Sequence, residues 1–134
     1  MNLKDIRWRQ RFENFEKAYL LLENNIDIEN PSELERAGII QFFEMTFELA
    51  WKVLKDYLEA EGFQISSPRE AIKQAFQSAI LIDGHVSMEA LEDRNLSVHT
   101  YDEKTAIEIV HRIKTRYFAA LKQLHKSMKT EFEG

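Results

Sequence analysis

The chain has 134 residues, close to the typical domain length of about 150, so we expect a single domain over residues 1–134. Hydrophobic residues make up 44%, and only 4 Gly and 2 Pro are present, which argues against disorder and against a turn-rich all-β fold. The absence of cysteine excludes disulfides and thiolate metal sites and fits a cytoplasmic protein. Because the net charge is −5, a polyphosphate ligand would have to bind at a local site.

The first half of the chain predicts two long amphipathic helices. Apolar residues recur at spacings of three and four between Asp5 and Ile26, and their stripe comprises Trp8, Phe12, Phe15, Tyr19, Leu22 and Ile26. Ser32 and Glu35 have the spacing of a capping box that opens a second helix, which reaches Gly62. This second helix is apolar around most of its circumference, so we expect it to lie centrally in a bundle or to contact a second subunit.

The second half predicts shorter helices followed by one long helix. Ser67 and Glu70 form a second candidate capping box, whose helix runs to Ile80 and ends at Asp83-Gly84. A short segment follows Ser87, with inward-facing Met88 and Leu91, and breaks off at the polar cluster of residues 92–95. Asp102 caps the last helix, whose stripe comprises Ala106, Val110, Ile113, Tyr117, Leu121, Leu124 and Met128. The fold class is therefore predicted to be all-α, an antiparallel up-and-down helical bundle.

Two further patterns concern charge and metal binding. Residues 109–130 contain six Lys or Arg residues and no Asp or Glu, which fits either a solvated helical face or a phosphate-binding patch. Glu108 and His111 have the Glu-x-x-His spacing of di-iron bundles, but there is a single copy and it falls outside the buried stripe. We therefore expect no metal site.

Several chemically capable residues are concentrated between Arg94 and Asp102. Arg is a permanent cation suited to a phosphate, His99 can transfer a proton near neutral pH, and Asn, Ser and Tyr side chains can orient a substrate. The alternative is structural: Arg94 pairs with a nearby carboxylate such as Glu92 or Asp102, and His99 is a satisfied polar residue. In a regular helix Arg94 and His99 would point about 140° apart, so joint action requires a break or kink between them, or a ligand that lies across the helix.

Arg94 and His99 form an Arg-x4-His motif that Tyr101 extends to His-x-Tyr, and this resembles the motif of HEPN domains. The likeness extends over most of the chain and is closest to the subgroup of nucleotidyltransferase substrate-binding proteins. It rests on four further blocks, namely residues 7–12, residues 47–52, Ser67-Pro68-Arg69-Glu70 and Asp83-Gly84.

This resemblance implies a homodimer that binds a nucleotide or RNA, has no cofactor and is partnered by a separate minimal nucleotidyltransferase. Because no stretch approaches the ~18 apolar residues of a membrane span, we also expect no membrane association. Some related proteins are toxin-type, metal-independent ribonucleases, in which His99 would be the general acid/base and Arg94 would stabilise the phosphorane. Asn95 and Ser97 would then bind the substrate, and the partner would adenylylate Tyr101. Others only bind substrate, and a purely structural dimer is a third reading. The chain lacks the Gly-Ser and paired Asp residues of the transferase itself.

Overall fold

The computed structural model describes residues 2–97 and 102–134, apart from the side chains of residues 96 and 97. These residues are mostly helical and contain no strand, which confirms the prediction of an all-α bundle. No helix in these two ranges is long and apolar enough to cross a membrane. The elements are α1 (Leu3–Asn25), α2 (Glu33–Ala60), α3 (Pro68–Gln77), α4 (Gly84–Ser97), α5 (Glu103–Arg112), a π-helical turn (Ile113–Tyr117) and α6 (Phe118–Glu133).

Helices α1 and α2 form an antiparallel pair at the centre of the core. The whole predicted stripe of α1 is buried, from Trp8 near its start to Ile26 at its C-cap. The Trp8 ring meets Tyr57 of α2 edge to face at 5.1 Å, and Arg11 Nε donates to Asp56 Oδ2 at 2.9 Å. Because Trp8 lies near the start of α1 and Tyr57 near the end of α2, these contacts fix the antiparallel direction.

Helix α2 has the boundaries that its sequence predicts. The capping box is complete: Ser32 Oγ accepts from the N–H of Glu35, and the Glu35 carboxylate accepts from the N–H of Ser32. Gly62, at φ 103°, and Phe63 donate their N–H groups back into the last turn in a Schellman arrangement. The helix contacts α1, α3, α4, α5 and α6, so its wide apolar surface is explained by a central place in the bundle.

The predicted boundary between the next two helices is wrong. Helix α3 ends at Gln77 rather than near Ile80, because Ala79 adopts a left-handed backbone at φ 63° and terminates it. Asp83 opens α4 instead of closing α3, since its carboxylate accepts from the N–H of Val86 at 3.0 Å. The second capping box is only half formed: Ser67 Oγ caps α3, whereas Glu70 bonds to Ser66.

The other boundaries also differ in part from the prediction. Helix α4 continues through the polar cluster at residues 92–95 instead of breaking there. The last helix begins at Asp102 as predicted, and its stripe is buried from Val110 to Met128, with Ala106 half-buried. However, α5 and α6 are joined by a π-helical turn that the apolar periodicity does not indicate.

Candidate functional site

The site is centred on Arg94, in the last turn of α4. Its guanidinium forms an ion pair with Glu48 of α2, and Nη1 donates to Asn95 Oδ1 at 3.2 Å. The side chains of Arg94 and Glu48 are 30% and 31% exposed, so solvent still reaches the pair. Arg94 therefore pairs with a carboxylate, as the structural alternative supposed, and this carboxylate belongs to Glu48 of α2.

Glu48 joins two cations. One of its oxygens, Oε2, faces Arg94, and the other, Oε1, lies 3.4 Å from Lys52 Nζ one turn further along α2. A single carboxylate thus holds a guanidinium from α4 and an ammonium from α2 beside each other.

The neighbour of Arg94 in sequence, Asp93, anchors this end of α4 from the inside. Asp93 is buried and accepts from Arg112 Nε at 2.6 Å, from Arg112 Nη2 at 3.3 Å and from the Tyr117 hydroxyl at 2.5 Å. Burial, reinforced by the bond to Asp93, raises the pKa of Tyr117, so the phenol stays a neutral donor. Asp93 therefore fixes α4 to the last helix one residue before Arg94.

The π-helical turn brings together the two side chains that donate to Asp93, those of Arg112 and Tyr117. Residues five apart in an α-helix point about 140° apart, whereas a π-turn is closed by i→i+5 hydrogen bonds. The N–H of Phe118 bonds to the carbonyl of Ile113, and this wider turn lets Arg112 and Tyr117 reach the same carboxylate. Sequence reasoning missed Asp93; the available signal was the three-residue spacing from Ala90 to Asp93, which places both residues on one face of a helix.

Most cations of the basic run at residues 109–130 are engaged within the chain. The pairs are Arg112 with Asp93, Lys114 with the carbonyl of Ile28, Arg116 with Glu89 and Lys129 with Glu16. The lysine and the adjacent His125 lower the pKa of Glu16 through their hydrogen bonds. These contacts favour a structural role for four of the six cations over a phosphate-binding patch.

The remaining predicted site residues are distributed as follows. Asn95 is exposed beside Arg94, and Ser97 is the last residue of α4, with a side chain that is not described. His99 and Tyr101 lie outside the described residues. Within residues 2–97 and 102–134, no group of three His, Asp or Glu side chains could hold a metal ion. Glu108 and His111 are exposed on α5, outside the buried stripe, as the sequence predicts.

Comparison with known proteins identifies the family. The family model described as nucleotidyltransferase substrate binding protein like matches residues 10–130. The chain belongs to this family. It is similar to a protein of Thermus thermophilus, ttk003001694, whose crystal structure has 34% sequence identity and a TM-score of 0.76, over 90% of this chain and 99% of that one.

A second solved structure shares the fold. HI0074 from Haemophilus influenzae, described as revealing the fold of a substrate binding domain of a nucleotidyltransferase, has 21% identity and a TM-score of 0.77. The match covers 88% of this chain and 98% of that one. No curated protein sequence gives a significant match.

Several sequence blocks that carry the family resemblance have structural explanations in this member. In the first block, Arg9 packs over the rings of Trp8 and Phe132 and donates to the carbonyl of Phe132. These contacts join the start of α1 to the end of α6. The third block caps α3, and the Asp83-Gly84 block opens α4. The block at residues 47–52 differs from these, because its Glu48 and Lys52 belong to the Arg94 site.

Proposed function

We propose that the chain is the substrate-binding subunit of a two-component nucleotidyltransferase system and that Arg94 engages a phosphate of a nucleotide or RNA. Membership of the substrate-binding-protein family supports the first part. The description of HI0074, which shares the fold, points in the same direction.

The observation that carries the second part is the placement of Arg94. Its guanidinium is permanently charged, partly exposed and held at a defined position by Glu48. A planar group with five N–H donors suits the oxygens of a phosphate. Asn95, which is already bonded to Arg94, adds an amide beside it for orienting a ligand.

The finer assignments belong to the same proposal. The partner is a separate minimal nucleotidyltransferase chain, and two copies of this HEPN-like subunit form a homodimer whose motifs face one cleft. The exposed apolar side chains of Leu34 and Met45 remain on α2 for such contacts. Ser97 binds the substrate, and Tyr101 is the residue that the partner modifies.

The alternative catalytic reading is a metal-independent ribonuclease in which His99 transfers the proton and Arg94 stabilises the charge on the phosphorane. Both readings require Arg94, and only the second requires turnover. RNA cleavage by the purified chain in EDTA separates them.

The experiment compares the wild type, Arg94→Gln and His99→Ala in three assays, ATP binding, RNA binding and RNA cleavage in EDTA. Binding that Arg94→Gln weakens about tenfold, without cleavage, supports the substrate-binding subunit. Cleavage that both folded variants lose would make the chain a ribonuclease instead. Unchanged ATP and RNA binding by Arg94→Gln would overturn the role of Arg94.

A further inference from the structure

Glu48 is shared by two cations, and this arrangement indicates a phosphate site larger than Arg94 alone. We propose that Lys52 is a second phosphate-binding residue beside Arg94 and that Glu48 positions the two cations. The inference rests on the proposed function, because it takes the same site to be the place where a phosphate binds.

The geometry gives both cations the same anchor. Arg94 reaches Glu48 from α4, while Lys52 reaches the other oxygen of the same carboxylate at 3.4 Å from within α2. An ammonium has three N–H donors, so the ion pair of Lys52 with Glu48 leaves the lysine further donor capacity. The three charged side chains are each about a third exposed, which lets an anion approach them from solvent.

The net charge of this trio suits an anion. Two cations and one carboxylate sum to +1, in a chain whose overall net charge is −5. In the proposed complex a phosphate contacts Lys52 and Arg94 beside Glu48, whose role is to restrict the rotamers of the long lysine side chain. Holding a flexible cation in its binding geometry reduces the entropy that the complex loses.

Helix α2 also contains a matched pair that lacks the arginine. Lys55 Nζ lies 3.2 Å from Glu59 Oε1, with the same four-residue spacing as Glu48 and Lys52. The lysine exposures are 35% for Lys52 and 32% for Lys55. A merely helix-stabilising role would give Lys52→Met and Lys55→Met the same small effect, so Lys55 serves as the control.

The experiment uses the full chain and two probes, ATP and a labelled 2′-O-methyl oligoribonucleotide that cannot be cleaved through a 2′-hydroxyl. We expect Lys52→Met and Arg94→Gln each to weaken binding about tenfold, as for loss of one charged hydrogen bond. We expect Lys55→Met to change it less than about twofold, and Lys52→Arg to retain most of the affinity. With the oligonucleotide, each lost phosphate contact lowers the slope of log K against log salt by about 0.7.

A double-mutant cycle tests the part played by Glu48. If Glu48 positions Lys52, Lys52→Met weakens binding less than about threefold in a Glu48→Ala background, because the lysine is no longer held beside Arg94. A tenfold effect in both backgrounds would show that Lys52 binds without help from Glu48 and would overturn the positioning role. Helical circular dichroism and the unfolding midpoint confirm that each variant is folded.

The two proposals fail in different ways. Equal small effects of Lys52→Met and Lys55→Met, together with a loss in Arg94→Gln, would overturn the role of Lys52 and leave the proposed function standing. No effect of Arg94→Gln on either probe would overturn both. If Lys52→Met and Arg94→Gln weaken the binding of ATP alone, the phosphate belongs to a free nucleotide. If they weaken the binding of the oligonucleotide alone, it belongs to RNA. Either result supports the site.

Discussion

A single residue, Ala79, carries the backbone strain that ends α3. Helices α2 and α3 both end in a Schellman arrangement, but the left-handed position is Gly62 in the first and Ala79 in the second. A residue with a Cβ atom in this conformation costs roughly 1–2 kcal/mol. Ala79 is exposed, so its methyl group contributes little packing in return.

We therefore expect Ala79→Gly to stabilise the protein. Relief of the strain exceeds the extra freedom that glycine gives the unfolded chain, so the free energy of unfolding should rise by about 0.5–1 kcal/mol. Urea unfolding measures this change. The matched variant Gly62→Ala places a Cβ at φ 103° with no atom within 4 Å of it, and should destabilise by about 1 kcal/mol for conformational reasons alone. A loss of stability in Ala79→Gly would contradict the assignment of strain to Ala79.

At the scale of elements, α4 is fastened to the last helix by contacts of unequal strength. Asp93 is buried and receives three hydrogen bonds from Arg112 and Tyr117. Glu89, one turn earlier, pairs with Arg116 and His85 at a partly exposed position. Because exposed ion pairs contribute little and buried charged hydrogen bonds contribute more, the Asp93 contacts should hold the end of α4 that carries Arg94.

This difference predicts the behaviour of two variants on the same helix. Asp93→Asn should lower the free energy of unfolding by about 2 kcal/mol, because Arg112 loses its counter-charge. Glu89→Gln should lower it by less than about 0.5 kcal/mol. Hydrogen exchange in α4 should speed up more than exchange in α1 or α2 for Asp93→Asn. Similar losses for the two variants would show that the Asp93 contacts are no stronger than surface pairs.

The same elements show what the sequence can and cannot predict. The caps and apolar stripes of α1 and α2 are local signals, so the sequence predicts the bounds of these two helices to within a few residues. The end of α3 depends on a left-handed alanine, which has no sequence signal of its own. The partners at the site are 46 residues apart for Arg94 and Glu48, and 19 for Asp93 and Arg112, distances that no helical period specifies. The residues of the site could therefore be named in part, but their pairing could not.

For the whole molecule, the interior depends on tyrosines that must remain neutral. Tyr19 of α1 and Tyr117 of the last helix are both buried, and each donates its hydroxyl to a carboxylate, Glu23 at 2.9 Å and Asp93 at 2.5 Å. Burial first, and the neighbouring carboxylate second, raise the pKa of both phenols above the ordinary value. Each hydroxyl donates to its carboxylate, Glu23 or Asp93, and needs its proton to do so.

The consequence is a specific loss of stability in alkali. Unfolded tyrosine ionises near pH 10, whereas Tyr19 and Tyr117 keep their protons to higher pH when folded, so the unfolded state releases protons first as the pH rises. The stabilisation is complete below about pH 10 and should decline by about 1 kcal/mol per buried tyrosine by pH 11. The measurement is urea unfolding at several pH values from neutral to alkaline. In Tyr19→Phe the neutral-pH stability falls but the alkaline slope should become shallower, because one titrating group has been removed. A slope equal to that of the wild type would mean that Tyr19 ionises as readily in the folded chain as in the unfolded one.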